Sequence, residues 1–300
     1  INTLILDEFD KSLEIGFSEE MRQIIERLPG IQRKILTSAT NKLLLPDYVQ
    51  VTNPKEVNFL AGTSPNLRIR LVVAERRDKL KTLISLLRYI GGKTGIIFCN
   101  FKESISLVSN HLDAEGITHS CFYGGLEQKD RERALIRFRN GTSRLLLATD
   151  LAARGIDVPD VDFIIHYELP VKEAEFIHRN GRTARMHADG TAYVLQFAKE
   201  KLPAFISDPE TISPGPESTE LSSGLVTLFI SGGRKDKISK GDIAGLFMKE
   251  GKLSGDELGL IELKQDCAFV AVAEKKATEL IRKLNNSKLK KKKVRISIIS

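Results

Sequence analysis

Residues 95–150 read GIIFCNFKESISLVSNHLDAEGITHSCFYGGLEQKDRERALIRFRNGTSRLLLATD, and their pattern decides the fold. Gly95–Cys99 is a short apolar run with the character of a buried strand. Ser104–Glu115 then carries helical spacing, and Thr118–Phe122 is strand-like again. Leu126–Arg139 is helical, with Leu135, Ile136 and Phe138 expected inward, and Leu145–Ala148 is a further apolar strand. Strands that alternate with helices in this way build a parallel sheet covered on both faces. Ligands of such sheets lie at the carboxyl ends of the strands.

The same alternation extends outward. Leu67–Ala74 reads as a strand, and Asp78–Ile90 as a helix with Leu80, Leu83, Leu86 and Leu87 on one face. Asp162–His166 is a strand, Val171–Asn180 a helix and Thr191–Phe197 a last strand. Before them, residues 1–56 hold strands at Thr3–Leu6 and Lys34–Leu36 and a helix at Ser18–Leu28, with Ser18 expected as N-cap and Glu19 and Glu20 in the first turn. Two strands and one helix cannot bury a sheet on both faces, so this segment reads as the trailing part of a larger domain cut at residue 1. Residues 208–224 are rich in proline, serine and acids and read as a linker. Beyond it the order is strand (Val226–Ser231), helix (Lys240–Lys249), strand (Leu258–Leu263), strand (Ala268–Val272), helix (Lys275–Leu284), strand (Val294–Ile299). That βαββαβ order is a split-βαβ sandwich.

The 300 residues are 41% hydrophobic and 28% charged, enough apolar side chain for true cores and too much for a disordered chain. No apolar run approaches the roughly 18 residues of a membrane span. Cys99, Cys121 and Cys267 have no ligand-like spacing, which excludes a disulfide scaffold and a zinc cluster and fits a reducing, cytoplasmic setting. No signal peptide is visible, although the chain opens at Ile1. Residues 221–300 carry 17 basic against 9 acidic side chains, a net +8, while the preceding 220 residues net −1. A basic tail on a neutral body suits a polyanion partner, nucleic acid first, as well as a solvated lysine face.

Four segments carry chemistry. Asp7-Glu8-Phe9-Asp10 follows an apolar strand, where carboxylates could hold Mg²⁺ near phosphates and orient a water; an acidic turn opening a helix fits equally. Ser38-Ala39-Thr40 follows the next strand, and alone says little. Thr149 and the run to Asp157 leave another strand end, with Gly155 permitting close backbone approach and Asp157 an acceptor for a ribose hydroxyl. His178 to Arg185 packs three arginines into eight residues, and Arg182 and Arg185 are spaced to face one anion.

In this order the segments resemble the DEAD-box RNA helicases. Asp7 to Asp10 resembles motif II with Phe9 where alanine is usual, Ser38 to Thr40 motif III, Gly95 to Asn100 motif IV, and Gln128-Lys129-Asp130-Arg131 the Q-x-x-R motif. Thr149 to Asp157 resembles motif V, and His178 to Arg185 motif VI with Asn180 and Ala184 substituted. The resemblance implies an α/β fold of RecA-like, P-loop NTPase lobes: a partial first lobe (1–56) and a second lobe (57–207). It implies ATP and Mg²⁺ as cofactors. Asp7 would hold Mg²⁺ through water, Glu8 would activate the attacking water, and Asp157 with Gly155 would meet the nucleotide. Arg182 and Arg185 would reach the γ-phosphate. Ser38, Thr40 and His178 would couple the motifs, while Gly125, Arg131 and Thr149 would line the RNA backbone. Phe101 stands where a hydroxyl residue is common.

Gly91-Gly92-Lys93-Thr94 mimics a phosphate loop but follows a helix instead of opening one, so it reads as a helix cap. The 300 residues therefore carry two readings: an ATP-dependent helicase, inactive as this chain alone, or an RNA-binding piece without turnover. Residues 225–300 resemble an RRM-like, ferredoxin-type α+β module. Phe229 lies in the likeness of its first RNA strand and Phe269 in that of its third, with Lys235, Lys237 and Lys288 to Lys293 as RNA contacts. The stretch Phe229 to Ile238 resembles the bacterial DbpA group, which implies a hairpin of large-subunit ribosomal RNA and ribosome-assembly intermediates as partners, and no membrane.

Overall fold

The computed structural model describes residues 1–12, 17–38, 45–58, 67–76, 78–150, 158, 160–183, 189–215 and 221–299. The chain opens with β1 (Thr3–Leu6), a single turn α1 (Phe9–Ser12), α2 (Ser18–Glu26) and β2 (Arg33–Leu36). The two strands pair in parallel, Thr3 opposite Arg33. Ser18 is the first helical residue of α2 and not its cap: Phe17 takes that position, and its carbonyl accepts from Met21 N at 3.0 Å. A backbone carbonyl can start a helix without a capping side chain when the first turn carries Glu19 and Glu20 against the dipole.

The second body contains β3 (Leu67–Ala74), α3 (Leu80–Ile90), β4 (Gly95–Phe98), α4 (Lys102–Ala114), β5 (His119–Phe122), α5 (Gln128–Arg139) and β6 (Leu145–Ala148). It continues with β7 (Phe163–His166), α6 (Glu173–Asn180), β8 (Gly190–Phe197) and β9 (Glu210–Ile212). Seven strands form one parallel sheet in the order β5-β6-β4-β7-β8-β3-β9. Strand alternation divides its core in two. Ile97, Leu145, Leu147, Ile165 and Leu195 face α3 and α4, whereas Ile96, Phe98, Leu146, Ala148 and Ile164 face Ala134 and Phe138 of α5. This is the doubly covered sheet that continuous apolar strands demand. Removing a side chain such as Leu83, which is 0% exposed, would cost about 2–5 kcal/mol. At Gly95 a Cβ would stand 2.2 Å from the Phe163 ring, so only glycine lets β4 and β7 pack here.

The stretch read as a linker from residue 208 first adds a strand. Glu210–Ile212 pairs with β3 at the sheet edge, and Glu210 meets Arg70 at 3.2 Å. Three residues amid prolines carry too little pattern to show this locally. Residues 221–224 run along the second body, where Leu221 packs on the α3/α4 side of the core and Ser223 Oγ donates to the Thr142 carbonyl.

The tail module has β10 (Leu225–Ile230), α7 (Lys240–Gly245) continued by a π turn to Glu250, β11 (Leu258–Leu263), β12 (Ala268–Ala273) and α8 (Glu274–Leu284). A small hairpin, β13 (Lys288–Leu289) and β14 (Lys292–Lys293), precedes β15 (Ile296–Ile298). The antiparallel order β11-β12-β10-β15 is that of a split-βαβ sandwich. Leu228, Ile230, Ala268, Val270 and Val272 bury one sheet face under Ile243, Phe247, Leu280 and Leu284. The other face carries Phe229 and Phe269, directly paired across the strands.

Candidate nucleotide cleft and nucleic-acid surfaces

The acids at the end of β1 are held from below. Phe9 is 0% exposed and anchors the segment, so the side chain in place of the usual alanine points into the protein and leaves Asp7, Glu8 and Asp10 around it. The Thr37 hydroxyl, just past β2, donates to the Asp7 carboxylate. Thr37 N also donates to the Leu6 carbonyl at 3.0 Å, and Phe9 N to the Thr37 carbonyl at 2.8 Å. Glu8 sits at φ 48°, a left-handed backbone that non-glycine residues rarely adopt, and its N–H lies 3.1 Å from Asp7 Oδ1. Thr37 is a positioning residue that local reading passes over, since a threonine after a strand has no signal of its own. Ser38 is described and engaged; Thr40 lies outside the described residues.

From the second body, α6 points its C-terminal end at these acids. His178 Nε2 stands 3.1 Å from Asp10 Oδ2, with the Asp10 side chain only 5% exposed. One residue on, Arg179 is 1% exposed and engages four of its five N–H donors. Its Nε and one terminal nitrogen clasp Asp150 at 2.7 and 2.5 Å, the same terminal nitrogen reaches Asn100 Oδ1 at 2.7 Å, and the other reaches the Glu168 carbonyl at 2.8 Å. Its guanidinium carbon also lies 5.2 Å from the Phe98 ring centroid. One side chain thus ties together the ends of β4, β6 and β7. Next to it, Asn180 Oδ1 accepts from His166 Nε2 at 3.0 Å. Burial first, then the Arg179 charge, push His166 down to about 3, so the ring is neutral.

Past α6 the chain turns through Gly181, and Arg182 N donates to the Arg179 carbonyl at 3.1 Å. The Arg182 carbonyl accepts from Val161 N, and the Thr183 hydroxyl donates to the Val161 carbonyl at 2.6 Å. The backbone that presents Arg182 is therefore stitched to the segment before β7. Arg185, Gly155 and Asp157 lie outside the described residues. The Gly91 to Thr94 segment caps α3, and Asp162 Oδ2 accepts from both Thr94 N and its hydroxyl, at 2.7 and 2.8 Å. Its backbone is committed within the fold.

Gly125 follows β5 at φ 100° with nothing within 4 Å of where a Cβ would be, so the turn itself requires glycine. Arg131 folds back onto the Leu126 carbonyl at 3.1 Å, Thr149 is half-buried at the end of β6, and Phe101 is 62% exposed.

The tail module docks its aromatic face on α5. Phe269, 9% exposed, clusters with Ile136 and Ile299, and Phe229 and Cys267 pack at the edge of that cluster. The Phe229 and Phe269 rings are tilted at 5.7 Å. Arg139 meets Glu262 at 2.9 Å, and the buried Thr142 and Thr227 hydroxyls share a 2.7 Å bond. Ile136, expected inward, is thus buried against the module instead of the sheet. Lys235 and Lys237 stand exposed beside it, whereas Lys290 and Lys292 are paired to Asp242 and Asp236 at 2.9 and 3.0 Å.

Comparison with known proteins places this geometry. The description "Helicase conserved C-terminal domain" matches residues 78–187, and "DbpA RNA binding domain" matches residues 227–298. Fold and family matches therefore define a C-terminal helicase lobe joined to an RNA-binding domain. The chain is 30% identical over 315 residues to the ATP-dependent RNA helicase DbpA of Escherichia coli (strain K12), covering 100% of this chain and 68% of that protein. To the protein of the same description from Bacillus subtilis (strain 168) it is 28% identical over 333 residues, covering 99% and 69%. A solved structure of S. cerevisiae Dbp5 bound to RNA and ADP BeF3 is similar at TM-score 0.57 and 27% identity, over 66% of this chain and 54% of that one. The chain belongs to the DEAD-box ATP-dependent RNA helicases of the DbpA type. Among the described residues no helix is long and apolar enough to cross a membrane.

Proposed function

We propose that this chain works in a helicase that opens short RNA duplexes by closing two lobes on ATP and RNA together. The observation that carries this reading is the meeting of His178 with Asp10, which joins the arginine-bearing end of α6 to the acids after β1. In that arrangement Glu8 positions and deprotonates the attacking water, while Arg182 and Arg185 stabilise charge on the γ-phosphate. Asp157 and Gly155 take the nucleotide, and Ser38, Thr40 and His178 relay its state to Gly125, Arg131 and Thr149 on the RNA backbone. Asp7 is exposed and fixed by Thr37, an oxygen donor suited to Mg²⁺ held through water. Among the described residues there is no cluster of three metal-ligating side chains, and Mg²⁺ needs none where phosphates supply its remaining ligands. When bound, the ion neutralises phosphate charge.

The basic module directs the enzyme to a hairpin of large-subunit ribosomal RNA in cytoplasmic assembly intermediates. Lys235 and Lys237 contact phosphates and Phe229, at the edge of the docked face, stacks a base; Phe269, read from the sequence as a second RNA contact, is instead taken up by the contact with Ile136 and Ile299. The test is ATP hydrolysis and short-duplex unwinding by the protein carrying this chain. Hydrolysis should require RNA, and Glu8→Gln should lower kcat by about 10²–10⁴-fold with RNA binding intact. RNA-independent hydrolysis would overturn the coupling. The commitment of Thr94 to Asp162 favours a second reading for the 300 residues alone: RNA binding without turnover. Tight ATP binding by this chain would sink it.

A further inference from the structure

A second cavity, of about 470 Å³, lies away from the cleft, between α4, α5 and the edge strand β5. Its wall holds a relay of polar groups. His119 Nδ1 donates to the Ile117 carbonyl at 2.9 Å, which leaves Nε2 as an acceptor. Ser109 O–H donates to that Nε2 at 2.7 Å, and the Cys121 thiol donates to Ser109 Oγ at 3.5 Å. Two further groups there are unsatisfied: Arg137 Nε and Ser120 Oγ are both buried without a hydrogen-bond partner.

Arg137 is the unusual one. It lines the cavity half-buried, and no carboxylate among the described residues lies within ion-pair distance of it. A guanidinium does not shed its proton, so a desolvated and unpaired one is a standing cost unless an anion arrives. Asp113 attracts that charge without pairing to it. Asp130 is already 3.7 Å from Arg133, and Asp113 is 71% exposed and 3.8 Å from His119.

We infer that this cavity is an anion site that takes a phosphoryl group, with Arg137 as its charged anchor and Ser120 and Arg133 as further donors. Its volume suits a ligand of mononucleotide size. The phosphoryl group comes either from a free phosphorylated small molecule or from one phosphodiester of a bound RNA strand. The second source is reached along α5, whose first turn carries Gln128 and Arg131.

The experiment titrates inorganic phosphate, and separately a single-stranded oligonucleotide, into the full chain at constant ionic strength. The α5 amides and the His119 ring are followed by NMR. Phosphate should shift both, and Arg137→Gln should weaken the apparent affinity by about tenfold or more, with Ser120→Ala weakening it less. Arg137→Lys, which keeps the charge, and Arg182→Gln, at the other cleft, control for folding and for binding elsewhere. If Arg137→Gln also reduces the salt slope of oligonucleotide binding by about 0.7, the phosphate belongs to RNA. If only the phosphate response is lost, the ligand is a free molecule. No phosphate-dependent shift at α5, or an equal shift in Arg137→Gln, overturns the site.

Discussion

Arg179 shows what a single buried charge does for this cleft. At 1% exposure it can stay charged because Asp150 accepts two of its donors and Asn100 and the Glu168 carbonyl one each. Lysine has no planar fork to match that set. Arg179→Lys should therefore lower unfolding stability by about 3 kcal/mol, read from urea melts; a loss under about 1 kcal/mol would remove Arg179 as the hub. Its neighbour His166 makes a pH prediction. Its folded value of about 3 lies below the ordinary histidine range near 6.5, so between those limits the unfolded chain binds the extra proton. The stabilisation is full above about pH 6.5 and drains as pH falls toward 3, at up to about 1.4 kcal/mol per pH unit. His166→Gln should flatten that part of the stability curve, and an unchanged slope would assign it to other groups. The sequence pattern drew the eye to Arg182 and Arg185 because their spacing is local. Arg179 looked like one more arginine, since its partners Asp150 and Asn100 lie 29 and 79 residues away.

Among the elements, α5 is the instructive one because it is buried on two sides. Ala134 and Phe138, one turn apart, face the parallel sheet, and Ile136 faces the module. Residues two apart on a helix point in nearly opposite directions, so grouping Ile136 with Phe138 could not hold. Nothing within α5 announces that its outer side is covered, because the covering face is built from β10 and β12. The alternation of β4 to β6, by contrast, was fully legible, since β4 and β6 are apolar throughout and the connections have helical spacing. The outer contact can be measured. Arg139 and Glu262 are 23% and 18% exposed, too shielded for the near-zero value of a surface pair. A double-mutant cycle of Arg139→Ala and Glu262→Ala in denaturant melts should give a coupling of about 1 kcal/mol. Strict additivity would show that the two side chains only happen to be near each other.

At the scale of the molecule, the charge asymmetry and the docked module act together. The +8 of residues 221–300 sits beside a body of net −1, so the module contributes most of the long-range attraction for a polyanion. Composition made this plain, and it also suggested a tether in residues 208–224; it could not reveal that β9 and Leu221 fasten much of that stretch to the second body. With Ser223 bound to Thr142, Thr142 to Thr227, and Phe269 against Ile136, the module is an extension of the helicase lobe rather than a domain on a string. Two changes separate these pictures. Lengthening the chain between residues 215 and 221 with a glycine-serine insert leaves every interface group in place. The radius of gyration from small-angle X-ray scattering should then stay as it is. Ile136→Asp puts a carboxylate against Phe269 and Ile299, where burial without a partner costs several kcal/mol, more than this small contact can supply. The module should then swing free, and the radius should rise with the second body still folded. If instead the insert expands the molecule and Ile136→Asp does not, residues 208–224 alone hold the module in place.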